Sequence, residues 1–296
     1  MKPAPFEYVA PRSLEDALSL MAEHGDEAKL LAGGQSLVPA MNFRLLQPTI
    51  LVDLNRLEQL AFVQGAEDGG LRLGALTRQR EMELNSLVAQ RSPLMHEALP
   101  YIAHVQIRNR GTLGGSLAHA DPAGELPVLM VALRANLRLR SSAGDRWVNA
   151  EDYYQGLFMV DMKPEEILVE VSVPPPPART GWCFVEFARR QGDYALLGVA
   201  AQMTLNADGD CQEARLVYLN AGEKPVVATR AGAELHARPP SAELFEEVAH
   251  IAAEQEIQPS GDIHASVPYL RHLAVVLTRK ALGTASERAL AEMQPQ

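Results

Sequence analysis

Leu31-Ala32-Gly33-Gly34-Gln35-Ser36-Leu37 and, further along the chain, Arg110-Gly111-Thr112-Leu113-Gly114-Gly115-Ser116-Leu117-Ala118-His119-Ala120-Asp121-Pro122 are the two stretches on which the reading of this sequence turns. The first follows a short apolar run, Ala28 to Ala32, patterned as a buried strand, and leads into a helical segment. Backbone N–H groups at such a junction converge on an anion at a helix start. The second is rich in small and hydroxyl residues, which permit close backbone approach to a ligand. Taken singly, each pair of glycines is explained as well by a tight turn that needs a positive φ. Two such loops on a chain with no other phosphate motif suit the two phosphates of a pyrophosphate.

Around the loops, helix and strand signals alternate. Ser13, followed by Glu15 and Asp16, is an N-cap with acid in the first turn, and Leu14, Ala17, Leu18, Met21 and Ala22 recur at helical spacing up to Gly25. Strands are expected at Ala28 to Ala32, Ile50 to Asp53, Ala61 to Gln64, Leu71 to Leu73, Asn136 to Arg140 and Ile167 to Val173. Helices are expected after Thr77 as cap, after Ser92-Pro93, and over Leu126 to Leu133. Pro174 to Pro177 can continue neither helix nor central strand, and the main boundary is set there. Beyond it, Trp182 to Arg190, Leu196 to Asn206 and Ala214 to Asn220 read as a three-stranded meander with an Asp208-Gly209 turn. Ser241 to Glu254 and Ser266 to Leu282 read as closing helices.

Composition removes several classes of function. Lys+Arg 27 against Asp+Glu 37 gives a formal net charge of -10, so nucleic acid is not an expected partner. Cys183 and Cys211 stand far apart and form no CxxC, so this chain alone ligates neither an iron–sulfur cluster nor an all-cysteine zinc site. No apolar run reaches the roughly 18 to 20 residues of a membrane span, and Met1 to Glu7 lacks the features of a secretory signal, so a cytoplasmic protein is expected. GxGxxG after a strand, GxxxxGK[ST], HExxH and GxSxG are all absent, and no catalytic or metal-binding residue is assigned.

Some side chains near the loops carry two readings. Asp121 and Glu125, four apart and expected on one face of a helix beginning near Pro122, suit either ribose hydroxyls or a helix dipole. Arg108 and Arg110 either screen phosphate or belong to an interface or solvated face. Tyr194, just after a turn between strands, either stacks on a planar ring such as a flavin or packs in the core or at a sheet edge.

Four blocks in the same order resemble the FAD-binding medium subunit of molybdenum hydroxylases, the group of carbon monoxide dehydrogenase and xanthine dehydrogenase. They are Ala32 to Pro39, Ile107 to Pro127, Ala188-Arg189-Arg190 to Asp193-Tyr194-Ala195, and Arg271 to Leu277, and the likeness covers nearly the whole chain. The resemblance implies an α+β fold: a PCMH-type FAD-binding domain over residues 1–176, made of two α+β subdomains at about 1–56 and 57–176. A C-terminal domain with a three-stranded antiparallel sheet and helices follows at 177–287, then a flexible tail at 288–296. It implies that Leu31, Ala32, Gly33, Gly34, Gln35, Ser36 and Leu37 hold the pyrophosphate of FAD. Thr112, Gly114, Gly115 and Ser116 complete that grip, Ala120, Asp121 and Glu125 lie nearby with Glu125 beside the adenosine part, and Tyr194 sits against the isoalloxazine. Relatives often have a lysine just before the Ala-Arg-Arg segment, where Val185 and Glu186 stand here, and an arginine where Leu270 follows Tyr269.

The resemblance also implies the function. Substrate is hydroxylated at a molybdopterin cofactor on a large subunit, electrons pass through [2Fe-2S] clusters on a small subunit to FAD on this chain, and an external acceptor takes them on. A dimer of three-chain units is the implied assembly. Two other classes compete: a stand-alone FAD-dependent oxidase or reductase, for which no acid or base stands out in the sequence, and a non-catalytic assembly module whose glycine loops are only turns.

Overall fold

The computed structural model describes residues 2–293. β1 (Glu7–Val9), β2 (Ala28–Leu31) and β3 (Ile50–Asp53) form a parallel sheet in the order β1-β3-β2. Parallel neighbours cannot be joined by a tight hairpin, and α1 (Leu14–His24) and α2 (Leu37–Asn42) lie in the connections. The Ser13 hydroxyl accepts the Asp16 N–H at 3.1 Å to start α1, and Gly25, at φ 48°, closes it. Leu14, Ala17, Leu18 and Met21 turn inward from α1 onto Ile50 and Val52.

The middle of the chain builds an antiparallel sheet from β4 (Val63–Gly65), β5 (Leu71–Gly74), β6 (Asn136–Ser141), β7 (Gly144–Asn149) and, after the short β8 (Tyr154–Gly156) and β9 (Met159–Val160) hairpin, β10 (Ile167–Val173). The order is β4-β5-β10-β6-β7. A run of short helices covers it: α3 (Gln79–Leu84), α4 (Ser86–Arg91), α5 (Pro93–Ala98), α6 (Val105–Arg108), α7 (Leu113–His119), α8 (Glu125–Ala132) and α9 (Ala150–Tyr153). Leu71, Leu73, Leu137, Leu139 and Val171 meet Leu94, Met95, Leu113 and Leu117 in one core. α8 is its centre, with every residue from Leu126 to Ala132 buried. A bulge between Leu168 and Glu170 divides β10, so that Ile167 and Val169 face the α1 core while Leu168 and Val171 face the larger one.

After the four prolines come β11 (Thr180–Ala188), β12 (Ala195–Leu205), β13 (Cys211–Leu219) and β14 (Val226–Val227), antiparallel in that order. α10 (Thr229–Glu234), α11 (Ala242–Ile251) and α12 (Val267–Ala291) pack on one face, where the Tyr218 hydroxyl meets that of Thr278 at 2.6 Å. The other face sends Phe184, Ala200 and Val217 into the core of the middle sheet. Among the described residues no helix is long and apolar enough to cross a membrane.

Several expectations change. The C-terminal sheet has four strands rather than three, because Val226 and Val227 pair with Tyr218 and Val217; two residues are too few to show a period-2 pattern. β7 was not expected, since Gly144-Asp145-Arg146-Trp147-Val148-Asn149 is polar, and pairing with β6 alone defines it. Thr77 caps no helix; its hydroxyl binds both the N–H and the carbonyl of Phe62, and α3 starts after Arg78. Asp121 and Glu125 do not share a helix face, because α8 begins at Glu125 and Asp121 lies in the preceding turn. α12 runs nine residues past Leu282 to Ala291, through Gly283 and into the expected tail, because burial of Ala285 and Ala289 outweighs the cost of one helical glycine, about 1 kcal/mol. Residues 294–296 of that tail lie outside the described residues.

Two glycines test this packing in opposite directions. A Cβ on Gly181 of β11 would run into the Ala285 carbonyl and lie 2.5 Å from the Ala289 nitrogen, whereas one on Gly283 would have no atom within 4 Å. In urea unfolding, Gly181→Ala is expected to cost on the order of 1–3 kcal/mol or more, and Gly283→Ala to gain roughly 0.5–1 kcal/mol.

Candidate functional site

At the end of β2 the chain turns through Gly34, whose φ of 73° lies in the left-handed region, and enters α2. The backbone N–H groups of Gly33, Gly34, Gln35 and Ser36 make no hydrogen bond to any described residue. Four consecutive unpaired donors at a strand-to-helix turn are available to an anion. The carbonyls of the same loop are engaged: Gly33 accepts from Gln35 Nε2 at 3.0 Å and Ala32 from Asn55 Nδ2 at 2.9 Å.

The second loop is built the other way. Leu113 N–H donates to Thr77 O at 3.0 Å, Gly114 N–H to Ala75 O at 2.7 Å, and Gly115 N–H to the Thr112 hydroxyl at 3.1 Å. The first turn of α7 therefore spends its donors within the chain, and this loop is a wall rather than a cradle. What it offers is proximity and a hydroxyl. Gln79 Nε2 donates to Ser116 Oγ at 2.9 Å, which leaves the Ser116 proton free to donate. Gln79 is buried, its own Oε1 has no partner, and Gly111 lies against it.

The two loops touch through backbone. A Cβ on Gly33 would lie 2.5 Å from Arg110 O and 2.8 Å from Gly111 Cα, so only glycine fits. A Cβ on Gly114 would lie 2.6 Å from that of Ala75. The requirement for glycine at both positions comes from the chain's own packing. Gly115 also turns toward the first loop, its missing Cβ 3.7 Å from that of Ala32. The structure thus unites Leu31 to Leu37 with Thr112 to Ser116.

Ala120, Asp121, Glu125 and Tyr194 form a second group at the far end of α7, whose seven residues span about 10 Å. Ala120 ends α7 in the left-handed conformation, at φ 52° and ψ 42°. Asp121 Oδ1 accepts the Ala123 N–H at 2.9 Å. Tyr194 is 68% exposed; partial burial of its hydroxyl and the charges of Asp121 and Glu125 raise its pKa. Desolvation pushes the Glu125 carboxyl up to about 7, with the Asp121 charge adding to it.

Glu186 enters this group although its sequence signal was only a departure from a family lysine. Along β11, Phe184 and Glu186 face the middle sheet, while Cys183 and Val185 face α12. Desolvation and the charge of Glu125 push Glu186 up to about 8, and its Oε2 is buried without a partner. Arg108 reaches this group only through its charge, which works against the rise at Glu125: it is buried, pairs with Glu83 at 2.8 Å and donates to the Ile102 and Ala103 carbonyls. Arg110 contributes its carbonyl, which accepts from Arg78 Nη1. Asn55, Arg78 and Gln79 escaped the sequence reading because none sits in a recognisable motif. Among the described residues no cluster of His, Cys, Asp and Glu could hold a metal ion.

Both glutamates hold protons in the fold that an unfolded chain releases, so the native state binds more protons than the unfolded one above the ordinary glutamate range. Their contribution is full at low pH and is lost as pH rises through about 7 and about 8. The melting temperature of the ligand-free chain is expected to fall over that window relative to a Glu125→Gln/Glu186→Gln variant. Parallel pH profiles of the two proteins would refute the assignment.

Residues 4–176 match the family model described as the FAD binding domain in molybdopterin dehydrogenase, and residues 182–285 match the CO dehydrogenase flavoprotein C-terminal domain. The 6-hydroxypseudooxynicotine dehydrogenase complex subunit alpha of Paenarthrobacter nicotinovorans is 41% identical, over 98% of this chain and 97% of that protein. A solved chain of quinoline 2-oxidoreductase from Pseudomonas putida 86 superposes with a TM-score of 0.93 at 37% identity, covering 98% of this chain and 100% of that one. A chain of carbon monoxide dehydrogenase from Hydrogenophaga pseudoflava gives 0.93 at 34% identity, with 97% and 99% covered. A fold shared at that level, with both family models in register along one chain, places this protein in the family of FAD-binding flavoprotein subunits of molybdopterin dehydrogenases.

Proposed function

We propose that this chain is the flavoprotein subunit of a molybdenum-containing hydroxylase or dehydrogenase, with FAD held noncovalently between its two glycine loops. The observation that carries this reading is the run of unpaired N–H groups from Gly33 to Ser36, which suits the oxygens of a pyrophosphate. Bound FAD would supply an electron acceptor that passes electrons on. The chain's own part is to bind and orient it. The first loop, from Leu31 to Leu37, gives hydrogen bonds. Thr112, Gly114, Gly115 and Ser116 back that loop and add one hydroxyl donor. Asp121 and Glu125 lie near Tyr194, and with Ala120 they form the second group of side chains assigned to FAD, Glu125 to its adenosine part and Tyr194 to its isoalloxazine.

The partners follow from the relatives. Proteins matching over nearly the whole chain are named as a complex subunit alpha, a medium subunit and a medium chain, which supports a larger assembly. We assign the molybdopterin cofactor to a large subunit and the [2Fe-2S] clusters to a small one, in a dimer of three-chain units that delivers electrons to an external acceptor. The cytoplasm is the proposed compartment, in keeping with two buried, free cysteines, Cys183 and Cys211.

Untagged protein from its native source is expected to co-elute with two further chains, molybdenum and iron, and to release one FAD per copy on denaturation. A native monomer that carries FAD alone and oxidises an organic substrate would overturn the reading. Within the site, Gly34→Val is expected to lose FAD while its far-ultraviolet circular dichroism stays native, because Val tolerates a φ of 73° poorly. FMN is expected to bind at least about 100-fold more weakly than FAD, a difference of about 2.7 kcal/mol.

A further inference from the structure

We propose that Asn55 and Arg78 form a clamp that sets the spacing of the two glycine loops, which makes them positioning residues for the dinucleotide. The inference rests on the FAD reading above. Asn55 sits in the turn after β3, where Asp53 Oδ1 accepts its backbone N–H at 2.9 Å. Its side chain works in two directions. Nδ2 donates to Ala32 O, in the first loop, at 2.9 Å, and Oδ1 accepts from Arg78 Nη2 at 2.6 Å.

Arg78 completes the link. Its Nη1 donates to Arg110 O, the same carbonyl against which Gly33 packs. Its backbone pairs with Thr112 in an isolated antiparallel bridge, flanked by Gln79 N–H to Gly111 O at 2.9 Å and Leu113 N–H to Thr77 O at 3.0 Å. Arg78 therefore stands on the second loop and reaches, through Asn55, to the first. The far end of the chain of contacts is tied down as well, since Asp53 Oδ2 accepts the Tyr8 hydroxyl at 2.5 Å.

The choice of residues fits a spacer that also favours an anion. A planar guanidinium can bond two fixed acceptors at once, which the single ammonium of lysine does not reproduce. Both acceptors here are neutral groups, and Asp53 and Glu81 act on the guanidinium only through their charge, with no direct ion pair among the described residues. Two of its five N–H donors are used. Partial burial and the neighbouring Arg110 lower its pKa, yet an arginine stays protonated in a protein.

The test is a double-mutant cycle in the full-length chain, titrating FAD and recording the visible circular dichroism of the bound flavin. Arg78→Lys keeps the charge and Asn55→Ala removes the bridge. Each is expected to weaken FAD binding by about 10- to 100-fold and to change the flavin spectrum, while far-ultraviolet circular dichroism stays native. The double variant is expected to be little worse than either single one, since both break one clamp. If Asn55→Ala fails to fold, Asn55→Ser replaces it, because Ser is too short to span Ala32 and Arg78. Wild-type affinity and spectrum in the single variants, or fully additive losses, would overturn the clamp. Absence of FAD binding in the wild-type chain would instead overturn the functional reading on which the clamp rests.

Discussion

Contact between the backbones of two loops, Gly33 lying on Arg110 and Gly111, is the constraint on which the rest of the site depends. It joins the end of a parallel sheet to the start of α7 in an otherwise antiparallel unit. Neither element could supply the geometry alone. Because no side chain intervenes, the loops sit close enough for one to support the other, and the supporting loop spends its amides on Thr77, Ala75 and Thr112. The supported loop keeps its amides unpaired. Rigidity and binding capacity are thus divided between two segments that look alike in sequence.

The electrostatics follow the same division. At one end of α7 lie four unpaired N–H groups and the guanidinium of Arg78. At the other lie Asp121, Glu125 and Glu186, where burial raises the proton affinity of both glutamates, with the charge of Asp121 adding at Glu125 and that of Glu125 adding at Glu186. Because both glutamates keep their protons well above the ordinary carboxylate range, the charge at that end changes with pH near neutrality.

Much of this was legible in the sequence, and the failures share a cause. The cap at Ser13 and the apolar run of α8 were read correctly because each signal is local. Family resemblance then supplied the fold and the flavin, and the comparisons agree with it. What was misread depends on partners distant in the chain. Thr77 looks like a cap until Phe62 is beside it, Gly283 looks like a stop until the burial of Ala285 and Ala289 is counted, and β14 is defined only by β13. Gly114 is the sharpest case, since a glycine read as making room for a ligand makes room for Ala75. Asn55 and Arg78 have no local signal at all, and only three-dimensional proximity of Ala32 and Arg110 reveals what they connect.

The division of labour between the loops is tested most directly by amide hydrogen exchange, measured residue by residue in the full-length chain with and without saturating FAD. Unpaired amides exchange fast until a ligand accepts from them. The account predicts strong new protection at Gly33, Gly34, Gln35 and Ser36, and little change at Leu113, Gly114 and Gly115, which are already bonded in the free chain. Protection gained in the second loop alone, with the first still exchanging freely in the presence of bound FAD, would contradict it.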